Sequence, residues 1–159
     1  MTVLNLPAGL LATLGVSIIP AISGAVAIGN SERVKKLTRS GVGICCICGL
    51  LASASVAVFG DLMLKILFQN TASSLMLKMA APSVFFICMM QFSGSVLQAM
   101  GYTGRVFISS LVVGIINLLS AIFLISIPEI NIYRAAIGSD IAFMTGMIMN
   151  FIFSSRAKP

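Results

Sequence analysis

The stretch VFISSLVVGIINLLSAIFLISI, residues 106–127, runs without a charged side chain or a proline. As an α-helix rising 1.5 Å per residue it reaches about 33 Å, close to the thickness of a bilayer's hydrocarbon core. Lipid offers no water to bond the backbone, so a segment of this kind must satisfy its own N–H and C=O groups, as a transmembrane helix does. The rest of the chain has the same character. Of its 159 residues 58% are hydrophobic and 9% are charged, against roughly 25% charged in a soluble domain, and the mean hydropathy is +1.09.

Working outward from 106–127, Pro128-Glu129-Ile130-Asn131 makes a turn, and a further apolar run over about 132–153 leads into the basic tail Arg156-Ala157-Lys158. On the other side, Gly101-Tyr102-Thr103-Gly104-Arg105 forms a turn after a run over about 80–100. The segment 61–79 holds Asp61, Lys65, Gln69, Asn70 and Lys78 and reads as interfacial, and the apolar run 42–60 precedes it. Glu32, Arg33, Lys35, Lys36 and Arg39 follow a Gly29-Asn30-Ser31 breaker and read as a loop over 29–41. The first run, about 4–28, carries Pro7 and Pro20, and Pro20 is expected to kink it. Residues 1–10 lack the basic start of a signal peptide and the run is too long for one, so it reads as a span. The expected architecture is all-α: one membrane domain, a polytopic bundle of about five spans.

Lys and Arg concentrate on the cytoplasmic side of membrane proteins. With the 29–41 loop cytoplasmic, Arg33, Lys35, Lys36, Arg39, Arg105, Arg156 and Lys158 lie inside, leaving Lys65, Lys78 and Arg134 outside. This puts the N-terminus outside and the C-terminus inside, an arrangement that one further upstream span would make ordinary.

The net charge of +6 is spread between apolar segments and forms no basic stripe with interleaved aromatics, which excludes nucleic acid as a partner. There is no histidine, the four acids are far apart, and no glycine-rich loop precedes a phosphate-binding lysine. Neither an enzyme nor a cofactor is called for. Cys45, Cys46, Cys48 and Cys88 sit inside apolar runs and read as small hydrophobes rather than metal ligands.

The polar residues within spans are the site candidates. Asp140 lies about 12 Å into its span, where an ionisable group is expensive and should face the bundle interior, a wet cavity or an interfacial partner such as Arg134. Gln91 and Gln98 are seven apart and share a face, with Gly94 and Ser95 between them, so they can line a polar wall. Asn117 is mid-span, and Thr13 and Ser17 share a face with Pro20 and Gly24. For each of these an interhelical hydrogen bond is the alternative to ligand contact. Small residues recur every fourth position at Gly49, Ser53 and Ala57, at Gly138, Ala142 and Gly146, and at Ala21, Ala25 and Gly29, as close helix packing in lipid requires.

Several short motifs resemble a known family. They are Asn5-Leu6-Pro7, Ser17-Ile18-Ile19-Pro20-Ala21-Ile22-Ser23 before the basic loop, Leu64-Lys65-Ile66-Leu67-Phe68, Val96-Leu97-Gln98-Ala99-Met100-Gly101, and Ala135-Ala136-Ile137-Gly138-Ser139. Their order is similar to the C-terminal half of the polysaccharide flippases of the MATE-like exporter superfamily, particularly the stage V sporulation protein B group. The resemblance implies half of a two-lobed transporter in the bacterial plasma membrane that moves lipid-linked oligosaccharide or polysaccharide precursors for cell-envelope or spore-cortex synthesis. Its implied partners are the lipid bilayer, the lipid-linked oligosaccharide, and another transporter half or a second copy. A multidrug or cation antiporter of the same superfamily, and a non-transporting truncated subunit, are the alternatives.

Overall fold

The computed structural model describes residue 13 and residues 17–68, 78–125 and 131–157, with the side chains of 61, 63–68, 123–125 and 131–136 outside the description. Its helices are α1 (Ser17–Ala27), α2 (Ser31–Phe68), α3 (Ala81–Ala99), α4 (Thr103–Ile125) and α5 (Asn131–Arg156). No strand occurs among the described residues. Four of the helices, all but α1, are long and apolar enough to cross a membrane. The N-terminal part of the expected first span, with Pro7, lies outside the described residues. So does segment 69–77.

One expected boundary is corrected. The basic segment 29–41 is not a loop: from Ser31 onward it forms the first turns of α2, which continues without a break to Phe68. The turn is confined to 28–30. Gly29, at a φ of 65°, closes α1, the Asn30 N–H bonding back to Ala25 O and the Gly29 N–H to Val26 O, a left-handed glycine cap. Asn30 then caps α2, its Oδ1 accepting from the Arg33 N–H at 2.9 Å. The charges and the Gly29-Asn30-Ser31 breaker suggested a loop, but Lys, Arg and Glu are good helix formers. Likewise Asp61–Phe68, expected to lie along the interface, extends α2. The same glycine cap ends α3, with Gly101 at a φ of 85° and bonds from Tyr102 N to Leu97 O and from Gly101 N to Gln98 O. Pro82 sits in the first turn of α3, where its missing N–H costs nothing. Pro20 lies inside α1, but the residues whose carbonyls it would displace fall outside the description.

Helix α3 is the centre of the bundle. Its Ala81, Phe85, Cys88 and Phe92 meet α2, and on the opposite face its Ser83, Met90 and Gly94 meet α5. These pairs make α2 antiparallel and α5 parallel to α3, while α4 packs antiparallel against α5. The least apolar span window is the most buried. That of α3 has a mean hydropathy of 1.2 and is 56% buried, whereas that of α4 has 2.0 and is 11% buried. The more apolar helix forms the perimeter, carrying Phe107, Ile108, Leu111, Ile115, Leu118 and Ile122 outward at helical spacing.

Small residues and polar clamps bring the helices together. Along α2, Gly41, Cys45, Gly49 and Ser53 face α3 at every fourth position, the Cys45 thiol donating to Cys88 O at 3.5 Å and Ser53 Oγ to Ala81 O at 2.9 Å. Gly49 leaves room for Phe85, whose ring would stand 3.2 Å from a Cβ there. On α5 the ridge Gly138, Ala142, Gly146 is buried, as its spacing requires, and it continues into Asn150. Asn150, 1% exposed, accepts from Ser109 Oγ of α4 at 2.6 Å and donates from Nδ2 to Met90 O of α3 at 3.1 Å. At the end of α5, Arg105 donates to Phe153 O at 3.3 Å while stacking on Tyr102 at 4.3 Å. The α1 ridge is packed only at Ala25; Ala21 and Gly29 are exposed.

This antiparallel arrangement brings Arg33, Lys35, Lys36, Arg39, Arg105 and Arg156 to one end of the bundle. A charge-tolerant helix end is expected to face the cytoplasm. In a background lacking Cys45, Cys46, Cys48 and Cys88, Ser31→Cys is expected to resist an impermeant thiol reagent in intact cells and to react in lysed cells; labelling of intact cells would reverse the orientation. Gly146 tests the packing. A Cβ there would stand 2.8 Å from Met90 Sδ, whereas at Gly114 it would meet nothing within 4 Å. Gly146→Ala is expected to cost about 1–3 kcal/mol in detergent unfolding and Gly114→Ala to cost nothing or to stabilise slightly.

Candidate functional site

The sequence candidates separate into two groups. Gln91 and Gln98 are exposed on α3, with the half-buried Ser95 between them. They occupy the gap between the face that meets α2 and the face that meets α5, so they form a polar stripe on the floor between those two helices. Gly94 does not belong to this stripe. It lies on the packed side, where a Cβ would stand 3.5 Å from Asn150 Nδ2 and from Val106 Cγ1. Ser95 satisfies itself, donating to Gln91 O at 3.0 Å, which leaves the two carboxamides as the reactive polar surface.

Depth distinguishes the two glutamines. Gln98 is next to the end of α3, level with the basic turns of α2, since Phe92 is already opposite Gly41. Gln91 is seven residues deeper, about 10 Å, on a helix that is otherwise the most enclosed of the four. A carboxamide held at that depth against acyl chains would leave its donors and acceptor unpaired at a cost of several kcal/mol. The stripe therefore fits a wet cavity or a polar partner, not lipid.

Asp140 belongs to the second group. It is half-buried in the seam of α3 and α5 and accepts a hydrogen bond from the buried Ser83. Along α5 it lies about 24 Å from Arg156, near the end of the bundle opposite the basic one. The Arg134 side chain, the partner considered for it, lies outside the description. Asn117 is half-buried on the α4 stripe that carries Ser109 and Val113 toward α5. Thr13 and Ser17 are exposed on the α1 side, as is Pro20.

Sequence reasoning missed Ser83, Ser109 and Asn150, the buried polar residues that join α3, α4 and α5. Asn150 could have been found, because it stands four residues beyond Gly146 on the ridge already recognised. Ser83 and Ser109 carry no comparable signal, since serines occur on every face of these helices. Among the described residues, no three His, Cys, Asp or Glu converge on a point that could hold a metal ion.

No family model matches the chain, and no solved structure matches it. Among curated proteins it is similar to "Stage V sporulation protein B" of Bacillus subtilis, with 25% identity over 152 residues, 94% of this chain. The chain spans 28% of that protein's length. With four apolar helices of membrane-crossing length, the chain is a multi-pass membrane protein with sequence similarity to Stage V sporulation protein B.

Proposed function

We propose that the chain supplies one wall of the translocation pathway of an exporter that flips a lipid-linked oligosaccharide or polysaccharide precursor across the bacterial plasma membrane. The observation that carries this reading is the exposed carboxamide of Gln91, about 10 Å deep on the innermost helix. Sugar hydroxyls are donors and acceptors at once, and a carboxamide answers both. The pathway needs no covalent step. Binding sites in such transporters lie between repeats that rock against each other, and the open floor between α2 and α5 is the surface that a second repeat would face. Two-sided α3, held to α2 and α5 by close packing, would carry the stripe as part of a rigid wall.

A cation-coupled antiporter of the same architecture is the second reading, favoured by Asp140, a carboxyl within a span and bonded to Ser83 across a helix seam. The two readings differ in which residue is essential. With the chain reconstituted beside a complementary transporter half, the flippase reading expects Gln91→Leu to lower flipping of a fluorescent lipid-linked oligosaccharide in liposomes by about tenfold, equivalent to about 1.4 kcal/mol, with the unfolding midpoint in detergent unchanged. Full retention of flipping by Gln91→Leu would remove that residue from the pathway, and export of a cationic dye driven by a proton or sodium gradient and abolished by Asp140→Asn would transfer the proposal to the antiporter. Measured alone as a monomer, the 159-residue chain is expected not to flip the lipid above protein-free liposomes and to do so when reconstituted with a complementary transporter half. Flipping by the monomer would refute the single-wall assignment.

A further inference from the structure

Helix α2 is 38 residues long, about 57 Å, nearly twice the thickness of a bilayer's hydrocarbon. Its surplus at the N-terminal end is where Arg33, Lys35, Lys36 and Arg39 are exposed, while Val34 is buried and Leu37 half-buried against the bundle. All four cations therefore lie on the outward arc of the helix. The positive-inside bias accounts for their number on that side of the membrane but not for their register with the apolar surface below them. Arg33, Lys36 and Ser40 stand directly above Ile44, Ile47 and Leu51, at steps of three and four residues along one continuous outward stripe. Those three apolar side chains are 54–63% exposed.

Beside the stripe Gly43 is exposed with nothing within 4 Å of the position of a Cβ, which leaves a shallow channel next to Ile44 and Ile47. Above it a hollow of about 440 Å³ is lined by Asn30, Glu32, Arg33, Lys35 and Lys36. Glu32 is the one acid there and stands four residues before Lys36, where it offsets part of the charge. Three of the four cations are left in excess. Charge at headgroup depth, continued along the same helix face by apolar surface at acyl depth, has the amphiphilic pattern of a phospholipid.

We propose that the outward face of α2 binds an anionic phospholipid, with its phosphate between Arg33 and Lys36 and its acyl chains along Ile44, Ile47 and Leu51. Lys35 lines the same hollow from beside the stripe, whereas Arg39 lies outside it and serves the general field of the leaflet. Clusters of basic residues next to a span attract anionic headgroups in proportion to the charges at the surface. The register of Arg33 and Lys36 with the stripe adds position to that attraction.

The test uses the protein solubilised from its membrane in a neutral detergent, with any partner it retains. Retained lipid is counted by native mass spectrometry during titration with phosphatidylglycerol, with phosphatidylcholine, and with inorganic phosphate as competitor. Saturable retention of phosphatidylglycerol is expected, with weak retention of phosphatidylcholine and no displacement by inorganic phosphate. Arg33→Gln with Lys36→Gln is expected to weaken retention about thirty-fold, the effect of two basic contacts. Arg39→Gln with Arg156→Gln removes the same charge from the same end of the bundle but outside the hollow, and is expected to weaken it by less than about threefold. Equal losses in the two double variants would show a diffuse field without a site, and displacement by inorganic phosphate would show an anion site indifferent to lipid; either overturns the proposal. Transport is not part of the measurement, so its outcome is independent of the flippase reading.

Discussion

Acyl chains are as apolar as leucine, so burying leucine between helices gains nothing over leaving it in lipid. What remains to hold a bundle is close approach of backbones and the bonds of polar groups that have no other partner. The burial of the most polar span follows from this constraint. Helix α3, with the least apolar span of the four, occupies the centre, and α4, one of the more apolar, faces outward almost entirely. Gly41 and Gly49 of α2 come closest at the central helix, and Gly146 of α5 meets both its Met90 and Val113 of α4. The bundle is built from its small and polar residues, and its large apolar ones are mostly its solvent-facing surface, with lipid as the solvent.

The two seams of α3 are not held in the same way. Toward α2, a thiol and a hydroxyl donate to backbone carbonyls, Cys45 to Cys88 O and Ser53 to Ala81 O. Each such bond is directed at a group already bonded within its own helix, and bonds of this kind are worth about 0.6 kcal/mol on average in membranes. Toward α5 and α4, the side chain of Asn150 is shared between Ser109 and Met90 O in a space that is closed to solvent. Removing either neighbour leaves a buried amide partly unpaired, which costs more than the bond itself contributed. Helices α3, α4 and α5 therefore form the more tightly specified unit, and the α2 seam is the one with less to lose on rearrangement.

How much of this was legible in the sequence varies by element. The spans over 80–100, 106–127 and 132–153 could be read closely, because uninterrupted apolar length is set by bilayer thickness and leaves little choice of structure. The basic segment before Gly41 could not, because the same Lys, Arg and Glu suit a solvated loop and a solvated helix equally. Only the Gly29 cap and the Asn30 cap decide between them. For the candidate site, the shared face of Gln91 and Gln98 followed from their spacing of seven, but the exclusion of Gly94 did not. A residue three positions along is on the same side of a helix only approximately, and which neighbour occupies that edge depends on Asn150, 56 residues away in the chain.

The polar residues in the spans can be sorted by what they already bond. Ser109 and Asn150 bond each other, Ser83 bonds Asp140, Ser53 bonds Ala81 O, Ser93 bonds Met89 O, and Thr145 bonds Ile141 O. Each of these sits in a seam or folds its hydroxyl back onto its own helix, and the packing explains its presence. Gln91 is placed differently. It is a long, flexible amide, too large to fold back as serine does, and it is exposed at a depth where the surrounding helices are clad in isoleucine and leucine. Neither the packing nor the helix it sits on requires an amide there, and leucine would suit both better. A residue that weakens the membrane fit of its own helix without repaying it within the bundle is accounted for by something outside the bundle, and the chemistry of a carboxamide restricts that to water, a polar partner surface or a hydroxyl-rich cargo.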